Sequence, residues 1–184
     1  MEKCNTYIRK GLVSGTSVCE YRFYEIWLGG ARRGQGYAVS KATWEFEHGV
    51  ECGVPREFAW RYWTDRVNWD DPPAHFEFDG PFAIGTRIKT ILPEQTLESV
   101  IREVEDGQAA RIETEVPGAV VAFCWRFEEA DGQRTRMKQR LELSGAGAEA
   151  LVGQARGMEL SVPLGMTRLA ANMERAWQKE KEKA

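Results

Sequence analysis

The sequence predicts an α+β fold, a curved seven-stranded antiparallel sheet wrapped around one long C-terminal helix. Three observations carry this. Over residues 75–143 apolar and polar side chains alternate with period two, the pattern of strands with one buried face. Within that stretch Glu105-Asp106-Gly107, Pro117-Gly118 and Asp131-Gly132 are turn signals that divide it into successive hairpins. Beyond it Leu151, Ala155, Met158, Val162, Met166, Leu169, Met173 and Trp177 recur at steps of three or four, a stripe that a helix must bury. The sheet is the only partner large enough to cover it, and a sheet curved round one helix is expected to enclose a cavity.

The elements follow in order. Residues 1–42 mix Gly, Arg, Ser and Tyr without sustained periodicity and read as a poorly ordered N-terminal extension. Residues 21–28 are the one short stretch there that suits a strand or helical turn. Residues 29–36 (GGARRGQG) read as a flexible linker, or as a partner-binding arm through Arg32 and Arg33. The folded domain is expected over residues 43–180. Trp44, Phe46, His48, Val50 and Cys52 share one face of the first strand, with Glu45, Glu47 and Glu51 on the other. Pro55 suits the start of a helix that groups Ala59, Tyr62, Trp63 and Arg66, with Trp60 adjacent. Asp70-Asp71-Pro72-Pro73 stops it.

Six more strands follow. Phe76 and Phe78 face one way, His75, Glu77 and Asp79 the other. A strand over residues 86–92 leads to Leu97, Ser99 and Ile101 on one face of the next, then to Ala110, Ile112, Thr114 and Val116. Val121, Phe123, Trp125 and Phe127 come next, and finally Thr135, Met137, Gln139, Leu141 and Leu143. Glutamates, including Glu128 and Glu129, and basic residues between these positions are expected on a solvated outer surface. The C-terminal stripe predicts one continuous helix kinked at Pro163.

Composition narrows the functional classes. With 184 residues, 25 Lys and Arg, 28 Asp and Glu and a net charge of −3, the chain has no basic footprint, and no nucleic-acid partner is expected. Cys4, Cys19, Cys52 and Cys124 form no CxxC pair and the histidines are His48 and His75 alone, so no metal site is expected. Cys52 and Cys124 fall in apolar strand patterns and read as packed thiols. No apolar run reaches the roughly 18 residues of a membrane span, so no integral membrane insertion is expected. The N-terminus lacks the apolar core of a secretory signal, and the expected location is cytoplasmic. No GxSxG, phosphate-binding loop or dinucleotide fingerprint is present and no cofactor is expected.

In order, TWEFEHGVEC, PREFAWRYWTD, GPFAIGTR, VIREVEDG, ETEVPGA, FCWRFEEADGQRTRMKQRLELSG and LSVPLGMTRLAANME resemble the SRPBCC superfamily, most of all its START-like polyketide cyclase/dehydrase and lipid-transport branch. The resemblance spans residues 43–178. It implies a helix-grip fold with a deep apolar cavity, and ligands that are lipids, sterols, polyketides or other hydrophobic molecules. Some members catalyse cyclisation or dehydration, and others act as co-chaperone activators or toxin-like components. Members of this kind often carry histidines on the last two strands. Trp125 and Gln139 stand there instead, a departure that weakens an acid–base reading.

The candidate site residues are the inward polar and aromatic ones. His48, Ser99, Thr114 and Gln139 must find partners, whether a ligand, water or neighbouring backbone. Phe123 and Trp125 offer an aromatic wall. Trp63 and Trp69 suit a pocket mouth, Trp69 the better because it adjoins the proline-rich turn; the competing use is packing of the helix onto the sheet. Met158, Val162 and Met166 would give the helix side of a cavity, or ordinary core filling. His48 is the single candidate acid–base group. The leading expectation is therefore binding of a small hydrophobic or amphipathic ligand, a lipid, polyketide-like compound or aromatic metabolite, without catalysis. The alternative is a polyketide cyclase/dehydratase-type enzyme using His48. A third is an interaction module acting through the outer sheet or the N-terminal arm. Homo-oligomerisation is left open.

Overall fold

The computed structural model describes residues 41–69 and 72–183. The expected N-terminal extension, with the arm at Arg32 and Arg33, lies outside the described residues apart from Lys41 and Ala42.

The strands are β1 (Trp44–Cys52), β2 (His75–Phe78), β3 (Arg87–Ile91), β4 (Thr96–Glu105), β5 (Ala109–Val116), β6 (Ala119–Ala130) and β7 (Arg134–Ser144). They form one antiparallel sheet in the order β1-β7-β6-β5-β4-β3-β2. Helix α1 (Arg56–Thr64) and a 3-10 turn (Arg66–Asn68) follow β1. Helices α2 (Ala148–Ala155) and α3 (Met158–Lys181) follow β7. The hairpin order comes from the predicted turns: Gly107, Gly118 and Gly132 hold φ of 73°, 74° and 72°, where glycine carries no Cβ penalty. Gly145 has a further reason to be glycine. At φ 113° a Cβ there would sit 2.9 Å from both Ala119 Cα and the Gly118 carbonyl oxygen, so the exit of β7 crosses directly over the β5–β6 turn.

The inner face is the one that period two predicts. Ile112 and Thr114, Val121 and Phe127, and Met137, Gln139, Leu141 and Leu143 are all buried on it. Three local features differ from the expected arrangement. A bulge between Ile101 and Glu103 turns β4 by one residue, leaving Glu103 exposed and pairing Val104 with Ala110. Glu129 is solvated as expected but not on the outer face: it falls in phase with Phe127, and its exposed carboxylate meets Arg56 at 3.1 Å. The C-terminal stripe is carried by two helices rather than one kinked at Pro163. The break lies at Arg156 and Gly157, bridged by i→i−3 bonds from Gly157 N–H to Gln154 O (2.9 Å) and from Glu159 N–H to Arg156 O (3.1 Å). Glycine lowers helix stability there, whereas Pro163, early in α3, forfeits only its own N–H bond to the Glu159 carbonyl.

Helix α3 is tied along β1. Trp44 Nε1 donates to Glu159 Oε1 (3.3 Å) near one end, and Gly53 N–H donates to Glu174 Oε1 (2.6 Å) near the other. Arg61 of α1 reaches Glu180 at 2.8 and 2.9 Å. This attachment decides where the space under the helix lies, because it closes the β1 side and leaves the β3–β6 side open.

The outer face is a lattice of ion pairs. Arg111 bridges Glu113 (2.9 Å) and Glu142 (2.7 Å), Arg140 meets Glu45 (2.7 Å), and Arg136 meets Glu51 (2.6 Å). Burial acts to lower the Arg111 pKa, but the bonds to Glu142 and Glu113 outweigh it and raise it. Each exposed pair contributes only a few tenths of a kcal/mol up to about 1. Arg111 also donates to Cys124 Sγ at 3.1 Å, so this half-buried thiol belongs to the outer face.

Cys52 is 0 % exposed, and burial, reinforced by the Glu174 carboxylate, pushes its thiol up to about 11. A thiolate is the reactive form. Peptide mapping after iodoacetamide treatment at pH 8 is expected to find Cys52 unmodified in the native protein and modified after unfolding in urea. Rapid native labelling would contradict the packing of β1 against β7.

Candidate ligand cavity

Between the inner face and α3 lies a cavity of about 300 Å³. Its floor is built by sheet register. Ile88, Ser99, Thr114 and Val121 stand in one row across β3, β4, β5 and β6. Beside them Thr90 and Leu97 form a second row, and Ile112 with Phe123 a third. Phe123 and Trp125 are mid-sheet yet only half-buried, because they face this space rather than the helix. The roof is Met158, Ser161, Val162, Met166 and Leu169 of α3, which recur at helical spacing. One end is closed by Trp63, Trp69 and Phe76, whose rings pack edge or tilted at centroid distances of 5.7 Å (Trp63–Trp69) and 5.5 Å (Trp69–Phe76). Exposed Pro72 and half-buried Tyr62, Asn68 and Pro73 mark the mouth beside Trp69.

The wall carries a few polar groups deep inside. Ser99 Oγ and Thr114 Oγ1 are 2.7 Å apart and 7 % and 6 % exposed. Ser161 Oγ lies 3.5 Å from the Met158 carbonyl. Thr90 and Gln139 are 5 % and 8 % exposed, and neither side chain makes a hydrogen bond to any described residue. An amide without a described protein partner at that depth can be satisfied from the cavity itself, by a water or a ligand atom.

Of the residues that sequence reasoning singled out, Trp63, Trp69, Ser99, Thr114, Phe123, Trp125, Gln139, Met158, Val162 and Met166 come together on this wall. His48 does not. It has the inward phase of β1 and pairs with Gln139, but it is no part of the cavity lining. The expected placement is corrected for a physical reason: α3, fixed to β1 at Trp44 and Gly53, covers that strand and shuts it off from the cavity. A general acid–base role for His48 would have to reach a ligand from outside the wall. Trp60 is also off the wall; it is buried against Phe127 and donates from Nε1 to Asp106 at 2.9 Å.

Sequence reasoning passed over the mouth residues Tyr62, Asn68, Arg168 and Asn172. Arg168 and Asn172 are one helical turn apart, a signal that becomes legible only once it is known which flank of α3 borders the opening. Burial raises the Tyr62 pKa, with the Arg175 charge acting against this and the Asp65 charge adding to it. Among the described residues no group of three His, Cys, Asp or Glu side chains is placed to hold a metal ion. None of their helices is long and apolar enough to cross a membrane.

No protein-family model and no curated protein sequence matches the chain. Solved structures do. Protein NE0264 from Nitrosomonas europaea superposes with a TM-score of 0.60 at 16 % identity, covering 73 % of this chain and 96 % of that one. Norcoclaurine synthase from Thalictrum flavum, in complex with dopamine and hydroxybenzaldehyde, gives 0.52 at 13 % identity over 83 % and 98 %. DynU16, from the dynemicin biosynthetic locus, gives 0.54 at 16 % identity over 71 % of this chain and 47 % of its own. The chain therefore shares the helix-grip fold of these structures, the fold that the sequence resemblance implied.

Proposed function

We propose that this protein binds a small, largely apolar ring compound in the cavity under α3, with one polar group of the ligand directed at the floor. The observation that carries this is the Gln139 amide, 8 % exposed and without a hydrogen bond to any described residue, set in a wall that is otherwise mostly aromatic and aliphatic. A volume of about 300 Å³ is at the small end of ligand sites, which favours an aromatic or compact polyketide-like molecule over a two-chain lipid. Burying about 200 Å² of ligand apolar surface would supply about 5 kcal/mol before ordering costs. The ligands held by norcoclaurine synthase, dopamine and hydroxybenzaldehyde, are ring compounds of this size class and support the reading.

The test is a thermal-shift and native mass-spectrometry screen of ring compounds against lipids, repeated on Val162→Phe, which fills the cavity from the α3 side. Binding by the ring compounds, weakened about tenfold or more in Val162→Phe, is the expected result. Failure of every compound to bind or shift the melting temperature would sink the proposal.

A further inference from the structure

We propose that the ligand carries a hydrogen-bonding group at each end of its ring system, one read by Gln139 and the other by the Ser99–Thr114 pair. This rests on the ligand-binding reading of the cavity and adds the length of its occupant and the chemistry of its two ends.

Sheet register sets the two points apart. Thr114 of β5 pairs with Val121 of β6, and Gln139 of β7 pairs with Trp125 of β6. Val121 and Trp125 are four residues apart on that strand, roughly 13 Å at about 3.3 Å per residue. Strands β5 and β7 flank β6, which adds two strand spacings, roughly 10 Å across the sheet. The Gln139 side chain spans part of that gap, so a ligand that touches both points needs polar atoms roughly 10 Å apart. Phe123 stands midway along β6, opposite Ile112 of β5, so the wall between the points is apolar. Beside Gln139 the Trp125 ring lies 5.2 Å from Trp63, which gives that end an aromatic wall.

Both points have hydrogen-bonding capacity to spare. The Ser99 and Thr114 hydroxyls, 2.7 Å apart, use one hydrogen on each other and keep the second. The Gln139 amide, 8 % exposed, makes no hydrogen bond to any described residue and can both donate and accept. Amide and hydroxyl are neutral. An ionised group buried against neutral dipoles alone loses more hydration than it regains, so the matching ligand groups are hydroxyls or carbonyls. A ligand with a single polar group satisfies one point and strips water from the other. Two aromatic rings joined end to end span the distance and suit a space of about 300 Å³.

Isothermal titration of the full chain with 4,4′-dihydroxybiphenyl, 3,4-dihydroxybiphenyl and 4-hydroxybiphenyl varies the number and placement of hydroxyls on one ring pair. The 4,4′ compound is expected to bind about tenfold or more tightly than either of the others. The 3,4 isomer carries both hydroxyls at one end, so it controls for polarity, and this comparison on the wild type needs no variant. In Gln139→Leu, and separately in Ser99→Ala/Thr114→Val, the affinity ratio of the 4,4′ compound to 4-hydroxybiphenyl is expected to fall to about one. Circular dichroism reports whether each variant is folded. Equal binding of the two dihydroxy isomers by the wild type, or a ratio that survives in either folded variant, overturns the two-ended assignment while the cavity reading stands. Binding of other ring compounds but of none of these three overturns it too. Absence of binding by every ring compound overturns both.

Discussion

Trp63→Ala is expected to destabilise the protein by about 3–5 kcal/mol, the range for deleting a large aromatic from a packed core, and to abolish ring-compound binding. Trp63 is 4 % exposed. Its ring lies 5.0 Å from Phe82, 5.2 Å from Trp125, 5.3 Å from Phe127, 5.6 Å from Trp60 and 5.7 Å from Trp69, centroid to centroid. It is thus the shared member of two groups: the core set with Trp60 and Phe127, and the cavity end with Trp69 and Trp125. Aromatic pairs at these distances contribute beyond area burial, so several are lost at once. A domain of this size loses roughly 2–4 °C of melting temperature per kcal/mol, so scanning calorimetry should record a fall of about 10 °C. Trp69 Nε1 donates to the Trp63 carbonyl at 2.5 Å, a bond to backbone that the substitution spares. The loss is therefore one of packing. Val67→Ala, at a side chain 80 % exposed, is the matched control and is expected to change stability by less than about 0.5 kcal/mol. A fall of only 2–3 °C in Trp63→Ala would mean that the aromatic cluster is not the keystone its contacts indicate.

That cluster also marks where sequence stops being informative. The strands and their inward rows are legible because a strand has only two faces. Once Ile112 is inward, Thr114 must be, and Gln139 follows Met137 by the same rule. Period two says which face a residue takes but not what covers that face. His48 and Gln139 are cross-strand partners with the same phase, yet the helix lies over one strand and the cavity over the other. The decision is made by Glu159 and Glu174, more than 110 residues away from their partners Trp44 and Gly53. The mouth is harder still. Asn68 lies in a short 3-10 turn, and Arg168 and Asn172 sit at the edge of the apolar stripe, where periodicity assigns no side. Periodicity does not reveal the helix break because the stripe runs on in phase through Gly157, and proline carries the stronger helix-breaking signal.

The Ser99–Thr114 pair distinguishes a polar group kept for binding from one kept for the fold. The residues are cross-strand partners on β4 and β5, their hydroxyls 2.7 Å apart. Two hydroxyls carry two hydrogens, and the mutual bond uses one. The second is left to donate, and the pair sits on the floor of the cavity. Ser99→Ala and Thr114→Val are each expected to cost about 1–3 kcal/mol, because each leaves the other hydroxyl without its partner. The double variant is expected to cost far less than the sum of the two, since no polar group is then stranded, and the coupling should appear in a double-mutant cycle by urea unfolding. Additive losses would mean that each hydroxyl has an independent partner such as water, and that the pair is not a unit. Binding separates the two roles further. The double variant keeps the volume and the greasy wall, so an apolar ring should still enter. It has lost the spare donor, so a ligand whose carbonyl or hydroxyl reaches the floor should bind about tenfold more weakly. A variant that is stable yet no longer distinguishes polar from apolar rings would place these two hydroxyls with the ligand. If discrimination survives, Gln139 is the floor group that reads the ligand, and Gln139→Leu is the substitution that should erase it.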